Sequence, residues 1–146
     1  MNASRQSVEF LMVDDNSEIA EFFSVYLREK RHTCATINDS SAVIEWLSQN
    51  ACEVAIIDLN MQPVDGISLI ARIREINSDL PIVVFTGFGY DEEKMQAALR
   101  AGANGYVSKT LPFEQLYCAL ARVLATARHQ SRNLQARSRQ RMLGAA

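Results

Sequence analysis

Three carboxylates, a hydroxyl and an ammonium are the side chains of this sequence whose placement bears on chemistry. Asp14 and Asp15 directly follow the apolar run 10–13 (FLMV), and Asp58 follows 53–57 (EVAII). Thr86 follows 82–85 (IVVF), and Lys109 comes just past 105–107 (GYV). One Asp closing an apolar run is ordinary, because the next turn welcomes its short hydrogen-bonding side chain. Three that converge are not. If the two carboxylate-bearing segments are neighbouring strands, the acids come within ~5 Å, where each like-charged pair costs roughly 3 kcal/mol at an effective dielectric of about 20. A fold that accepts this cost must hold compensating positive charge. Two sources are at hand, the Lys109 ammonium and a divalent cation held by oxygen ligands. Mg²⁺ suits the second role, with Mn²⁺ as its substitute, because it takes few protein carboxylates, keeps waters and accepts phosphate oxygens in its remaining positions.

Residues at such positions need elements to hold them. A fifth apolar run, 33–37 (TCATI), completes a regular series, and stretches of helical period lie between the runs. The first carries Ile19, Phe22, Phe23, Tyr26 and Leu27 on one stripe and closes in the charged segment 28–31. Asp39 or Ser40 can cap the second, which holds Val43, Ile44 and Leu47. The third opens near Gly66 with Ile67, Ile70, Ile73 and Ile76. The fourth begins at Asp91, with Glu92 and Glu93 where a helix dipole favours acids, and Pro112 starts the last, which runs at least through Leu124. Strand and helix thus alternate five times, which predicts a doubly wound α/β domain, a parallel sheet with helices on both faces. Ligands in such sheets bind beyond the carboxyl ends of the strands, where the five residues named above fall.

Asp14 with Asp15, Asp58 in DLNMQPVDG, Thr86 in FTGFG, the AGANGY segment and Lys109 in VSK together resemble the successive signatures of response-regulator receiver domains. These are the chemotaxis-regulator-like domains of two-component signalling, and the resemblance covers about residues 9–124. It implies a flavodoxin-like five-stranded sheet of order 2-1-3-4-5. It further implies that Asp58 takes a phosphoryl group from a sensor histidine kinase or a phosphotransfer protein. Asp15, Asp58 and the backbone carbonyl of Asn60 would hold Mg²⁺, with Asp14 acting through a water. Lys109 would pair with the carboxylate and then with the phosphoryl group, and the Thr86 hydroxyl would bond another oxygen. Gly87 leaves room beside Thr86, while Asn60 and Phe88 occupy the positions that set the lifetime of the aspartyl phosphate. Thr86 and Tyr106 would form a switch that reshapes the surface of the fourth helix, fifth strand and fifth helix, through which a downstream protein effector or a second copy would bind. Such a domain is a phosphoacceptor rather than an enzyme, limited to its own phosphotransfer and dephosphorylation. Two departures stand out. Met61 is followed by Gln62 before Pro63, which leaves the loop path uncertain by a residue, and Lys109 precedes Thr110 rather than a proline. A cis bond before a non-proline costs about 2.5 to 4 kcal/mol, so none is assumed there.

Composition narrows the setting. The chain has 146 residues and is 48% hydrophobic, enough for one packed core plus a short extension. All seventeen acidic residues lie at or before Glu114, whereas Arg122, Arg128, Arg132, Arg137, Arg139 and Arg141 follow it. The body is therefore acidic and repels nucleic acid, while the tail could attract nucleic acid or an acidic partner. A receiver domain over 1–127 and a basic polar extension or linker over 128–146 are expected, with the final QSRNLQARSRQRM polar enough to be poorly ordered. Leu120, Val123, Ala127 and Leu134 offer a narrow stripe for self-association if the helix continues. Three cysteines without a CxxC spacing, each in an apolar stretch, fit small core residues in a reduced cytoplasmic protein. The start, MNASRQSVEF, lacks an export leader and no run is long enough to span a bilayer. No helix-turn-helix pattern or second apolar core follows Leu124, so no DNA-binding domain is expected within this chain. A longer regulator with an effector beyond Ala146 stays open. A Mg²⁺-dependent phosphohydrolase of the haloacid dehalogenase type would want DxDxT where Asp58 is followed by Leu59, Asn60, Met61 and Gln62. A flavin carrier would be repelled at Asp14 and Asp15, next to Asn16.

Overall fold

The computed structural model describes residues 4–87 and 91–144. The apolar runs are strands and the periodic stretches helices. In chain order they are β1 (Ser7–Val13), α1 (Ser17–Glu29), β2 (Cys34–Ile37), α2 (Val43–Gln49), β3 (Ala51–Ile57), α3 (Gly66–Ile76), β4 (Ile82–Thr86), α4 (Glu92–Ala101), β5 (Gly105–Ser108) and α5 (Phe113–Leu143). The strands pair in parallel in the order β2-β1-β3-β4-β5, as expected. Side chains of Asn16, Asp65 and Asp91 cap α1, α3 and α4 by accepting N–H groups in the first turn, and Asp39 rather than Ser40 caps the 3-10 turn leading into α2.

Alternation along the strands divides the core into two layers. Leu11, Val13, Ala55, Ile57 and Val84 pack with Val43, Ile70, Ile73 and Ala98, which brings α2, α3 and α4 to one face. Phe10, Met12, Val54, Ile56 and Phe85 pack with Phe23, Leu27, Leu116 and Leu120, which brings α1 and α5 to the other. Phe22 departs from the stripe predicted for α1. It lies one residue, 100° of helix, away from the fully buried Phe23 and is 66% exposed. Burial pushes the Cys34 thiol up to about 11 and the Cys52 thiol up to about 12, as suits core residues, but Cys118 is exposed on α5 and not part of the core.

Of the two forms left open for the tail, an extension of the last helix or a linker, the structure shows the helix. Residues expected to be poorly ordered continue α5 without a break to Leu143. Ala, Arg, Gln and Leu all favour helix, and neither Gly nor Pro interrupts them before Gly144. An ionic anchor at the amino ends of the strands fixes the direction in which this helix leaves the sheet. Arg128 donates to Glu53 Oε2 (2.6 Å) and to Glu9 Oε2 (3.0 Å). His32 joins the same Glu9 oxygen through Nδ1 (3.1 Å) and reaches the Tyr117 hydroxyl through Nε2 (3.1 Å). Burial alone would raise the Glu9 carboxyl. The bonds from His32, the Thr33 N–H and Arg128 outweigh it and hold that carboxyl below the ordinary glutamate value.

Candidate functional site

Register places the acidic residues side by side. Val13 pairs with Ile37 on one flank and Ile57 on the other, so β1 and β3 end together. The Asp58 N–H donates to the Val13 carbonyl and the Asp14 N–H to the Ile37 carbonyl, each at 3.1 Å, which carries the ladder one step beyond the strands. As a result Asp14, Asp15 and Asp58 each present a carboxylate oxygen, all within 4.8 Å of one another. Asp14 is wholly buried, Asp58 is 5% exposed and Asp15 faces solvent.

Lys109 arrives from β5 on a backbone bond of its own, its N–H donating to the Thr86 carbonyl at 2.8 Å. The same pairing, Thr86 with Ser108, sets the fully buried Thr86 beside it at the end of β4. Lys109 Nζ lies 3.1 Å from Asp58 Oδ2 and 2.5 Å from Asp14 Oδ2. The closer ion pair is therefore with Asp14, a detail that spacing along the chain does not reveal. It supplies charge without a well-aligned hydrogen bond, so the buried Asp14 Oδ2 has no proper donor. Burial raises the Asp14 carboxyl above the ordinary aspartate value; Lys109 and the Asn16 N–H (2.9 Å to Oδ1) recover part of this, and the Asp58 charge pushes it up again. One ammonium does not neutralise three clustered carboxylates. A hard divalent cation fits this set, which offers oxygen ligands only and includes an oxygen still lacking a donor.

The carboxylates look out through an opening of about 360 Å³ rimmed by Asp15, Ile19, Asp58, Asn60, Gly87 and Lys109. A methyl group at Gly87 would meet nothing nearer than the Lys109 side chain at 3.9 Å, so the protein itself does not require glycine there. Gly66 is the opposite case. A Cβ on it would lie 2.3 Å from the Asp58 carbonyl oxygen, and its N–H donates to the Leu59 carbonyl at 3.0 Å. The start of α3 thus rests on the backbone of Asp58, a contact that marking the helix start in the sequence left unseen. Beneath the loop between them, Leu59 and Met61 are buried, and the Val64 N–H donates to the buried Ser40 Oγ. The cis peptide in this loop is Gln62–Pro63, whereas Lys109–Thr110 is not cis.

Tyr106 is half-buried on β5 against the layer formed by α3 and α4, and burial together with the charges of Asp91 and Asp58 raises its phenol. It lines a groove of about 460 Å³ with Met95 of α4 and Leu111, Cys118 and Arg122 near and along α5. Phe88 lies outside the described residues.

Comparison with known proteins adds an independent line. The family model for the response regulator receiver domain matches residues 10–121. The chain is 31% identical over 121 residues to the transcriptional regulatory protein PhoP of Escherichia coli K12 and to the virulence transcriptional regulatory protein PhoP of Salmonella typhimurium LT2. In each case the match covers 83% of this chain and 52% of the relative, so the chain spans about half the length of these relatives. The receiver domain of NtrX from Brucella abortus superposes with a TM-score of 0.75 at 26% identity, over 81% of this chain and 99% of that one. A CheY-like receiver domain protein from Methanospirillum hungatei shares the fold at a TM-score of 0.78 and 17% identity, over 87% of this chain and 99% of that one.

Proposed function

This chain belongs to the response regulator receiver domain family, and from that premise we propose that Asp58 is its phosphoacceptor, charged by the phosphohistidine of a sensor histidine kinase or phosphotransfer protein. The observation that carries the reading is the Asp14–Asp15–Asp58 cluster with Lys109 Nζ between two of its members, at the mouth of an open site. An Asp58 carboxylate oxygen attacks phosphorus, the P–N bond breaks, and the imidazole leaves with its electron pair. Lys109, freed from part of its pairing with Asp58, turns to a phosphoryl oxygen, and the Thr86 hydroxyl donates to another. Asp15, Asp58 and the Asn60 carbonyl would hold Mg²⁺, with Asp14 behind a water. The cation's contribution is to offset negative charge gathering on the phosphoryl oxygens. Transfer of this kind asks mainly for positioning and charge neutralisation, which a site mounted on strand ends provides.

Ile19 on the rim continues along α1 into the exposed Phe22 and Val25, at helical steps of three. This apolar ridge suits a protein donor that buries surface while presenting its histidine to Asp58. For output, the phosphoryl group draws Thr86 toward the site, and Tyr106 follows into the space behind it. The groove among α4, β5 and α5 then changes shape for a downstream effector. The test is labelling by acetyl phosphate. Wild-type protein should be labelled only with Mg²⁺ or Mn²⁺, and Asp58→Asn should abolish labelling, because the amide keeps the shape but loses the nucleophilic oxygen. Label mapped to Asp14, Asp15 or Asp65, or undiminished in excess chelator, overturns the reading.

A further inference from the structure

Beyond Leu124, its last buried residue, α5 runs nineteen residues, about 28 Å, without covering any core of this chain. Its root forms one wall of a groove of about 590 Å³ at the end of the sheet remote from Asp58, and Asp79, Pro81 and Asn104 form the other. From the geometry we infer that this groove receives α5 of a second copy, with the two helices antiparallel and crossing at Leu134. The inference does not depend on the phosphoacceptor reading. It also concerns a different surface from the α4, β5 and α5 groove, with Arg122 common to both walls.

Val123, Ala127, Gln130, Leu134, Arg137 and Arg141 recur at intervals of four and three, so they share one face of the helix. The first four line the groove, Leu134 is 67% exposed, and the two arginines continue the same face beyond it. Charge selects the direction. In a parallel pair each arginine would face its own copy, with no acid after Glu114 to relieve it. In an antiparallel pair centred on Leu134, Arg141 lies opposite Ala127 and Arg137 opposite Ser131, within the groove that Asp79 lines. Asp79 stands in no ion pair among the described residues, although Arg74 feels its charge. The charge distribution favours the same occupant, because the arginine-rich half of α5 is drawn to a body that holds all seventeen acids. The anchor of Arg128 on Glu9 and Glu53 fixes the rotation of α5 at its root, and Leu134, six residues on, stands exposed.

Sedimentation equilibrium of the full chain, with circular dichroism to confirm folding, tests this. Wild-type protein should dimerise more weakly as salt rises, and Leu134→Asp should raise the dissociation constant about tenfold or more. Asp79→Lys and the pair Arg137→Glu with Arg141→Glu should each weaken the dimer, and the combination should restore it. Direction is read by cysteine cross-linking in a Cys118→Ser background. Ala127→Cys mixed with Arg141→Cys should give the mixed dimer, whereas Arg141→Cys alone should not cross-link. A protein that stays monomeric, a dimer indifferent to Leu134→Asp, or efficient cross-linking of Arg141→Cys to itself overturns the inference. So does a monomer that binds duplex DNA through the same arginines, which would make nucleic acid the occupant.

Discussion

β1 supplies an acid to each end of the sheet, and the two behave in opposite ways. Glu9, at the amino end, is held below the ordinary glutamate value, whereas Asp14, at the carboxyl end, is held above the ordinary aspartate value. The difference lies in company rather than in the strand. Around Glu9 the carboxylate accepts from His32, the Thr33 N–H and Arg128, and Arg128 reaches on to Glu53. Around Asp14 three acids share one lysine, and one buried oxygen lacks an aligned donor. An end that satisfies its charges internally serves to anchor. An end that leaves negative charge in excess keeps affinity in reserve for something brought from outside.

Removing the one cation at the carboxyl end should break this contrast most severely. Lys109→Met leaves the buried Asp14 and Asp58 without a cation beside them, a change that typically costs about 3 kcal/mol. Thermal or urea unfolding with and without Mg²⁺ measures it, and the added cation should recover part of the loss. Equal stability in variant and wild type would show that the pair contributes nothing. Gly66→Ala should come next, at about 1 to 3 kcal/mol, because its Cβ strikes the Asp58 backbone and the start of α3 must shift. Acetyl phosphate labelling should fall with it, whereas a stable variant with full labelling would mean that the contact relaxes freely. Smallest is Arg128→Ala at the amino end. The pair is half exposed and should be worth under about 1 kcal/mol, with labelling of Asp58 unchanged. Circular dichroism should show helix lost from the carboxyl half of α5, and retained helicity would show that the anchor does not hold it.

The strand ends were legible because uninterrupted apolar runs give way to polar residues where each strand stops, and a parallel sheet gathers those stops on one side. Asp14, Asp15, Asp58, Thr86 and Lys109 could thus be picked out before any coordinate was known. What escaped depends on contacts between distant positions. The need for glycine at 66 comes from the backbone of Asp58, and the anchor of Arg128 comes from residues 75 and 119 positions away. Exposure of Phe22 escaped because a stripe of alternate threes and fours does not say which edge meets the sheet. Helix in the tail stayed one of two open readings, an extension of the last helix or a linker, because polar composition and the absence of breakers point in opposite directions.

The length of α5 also changes what this molecule looks like to a hydrodynamic measurement. Thirty-one helical residues extend about 46 Å, while a globular domain of some 110 residues has a radius of gyration of only about 13 Å. A single copy is therefore club-shaped and tumbles more slowly about its short axes than about its long one. Its friction exceeds that of a sphere of equal mass, so elution against globular standards would mimic a heavier particle. A compact species would run close to its true mass only if the shaft were covered.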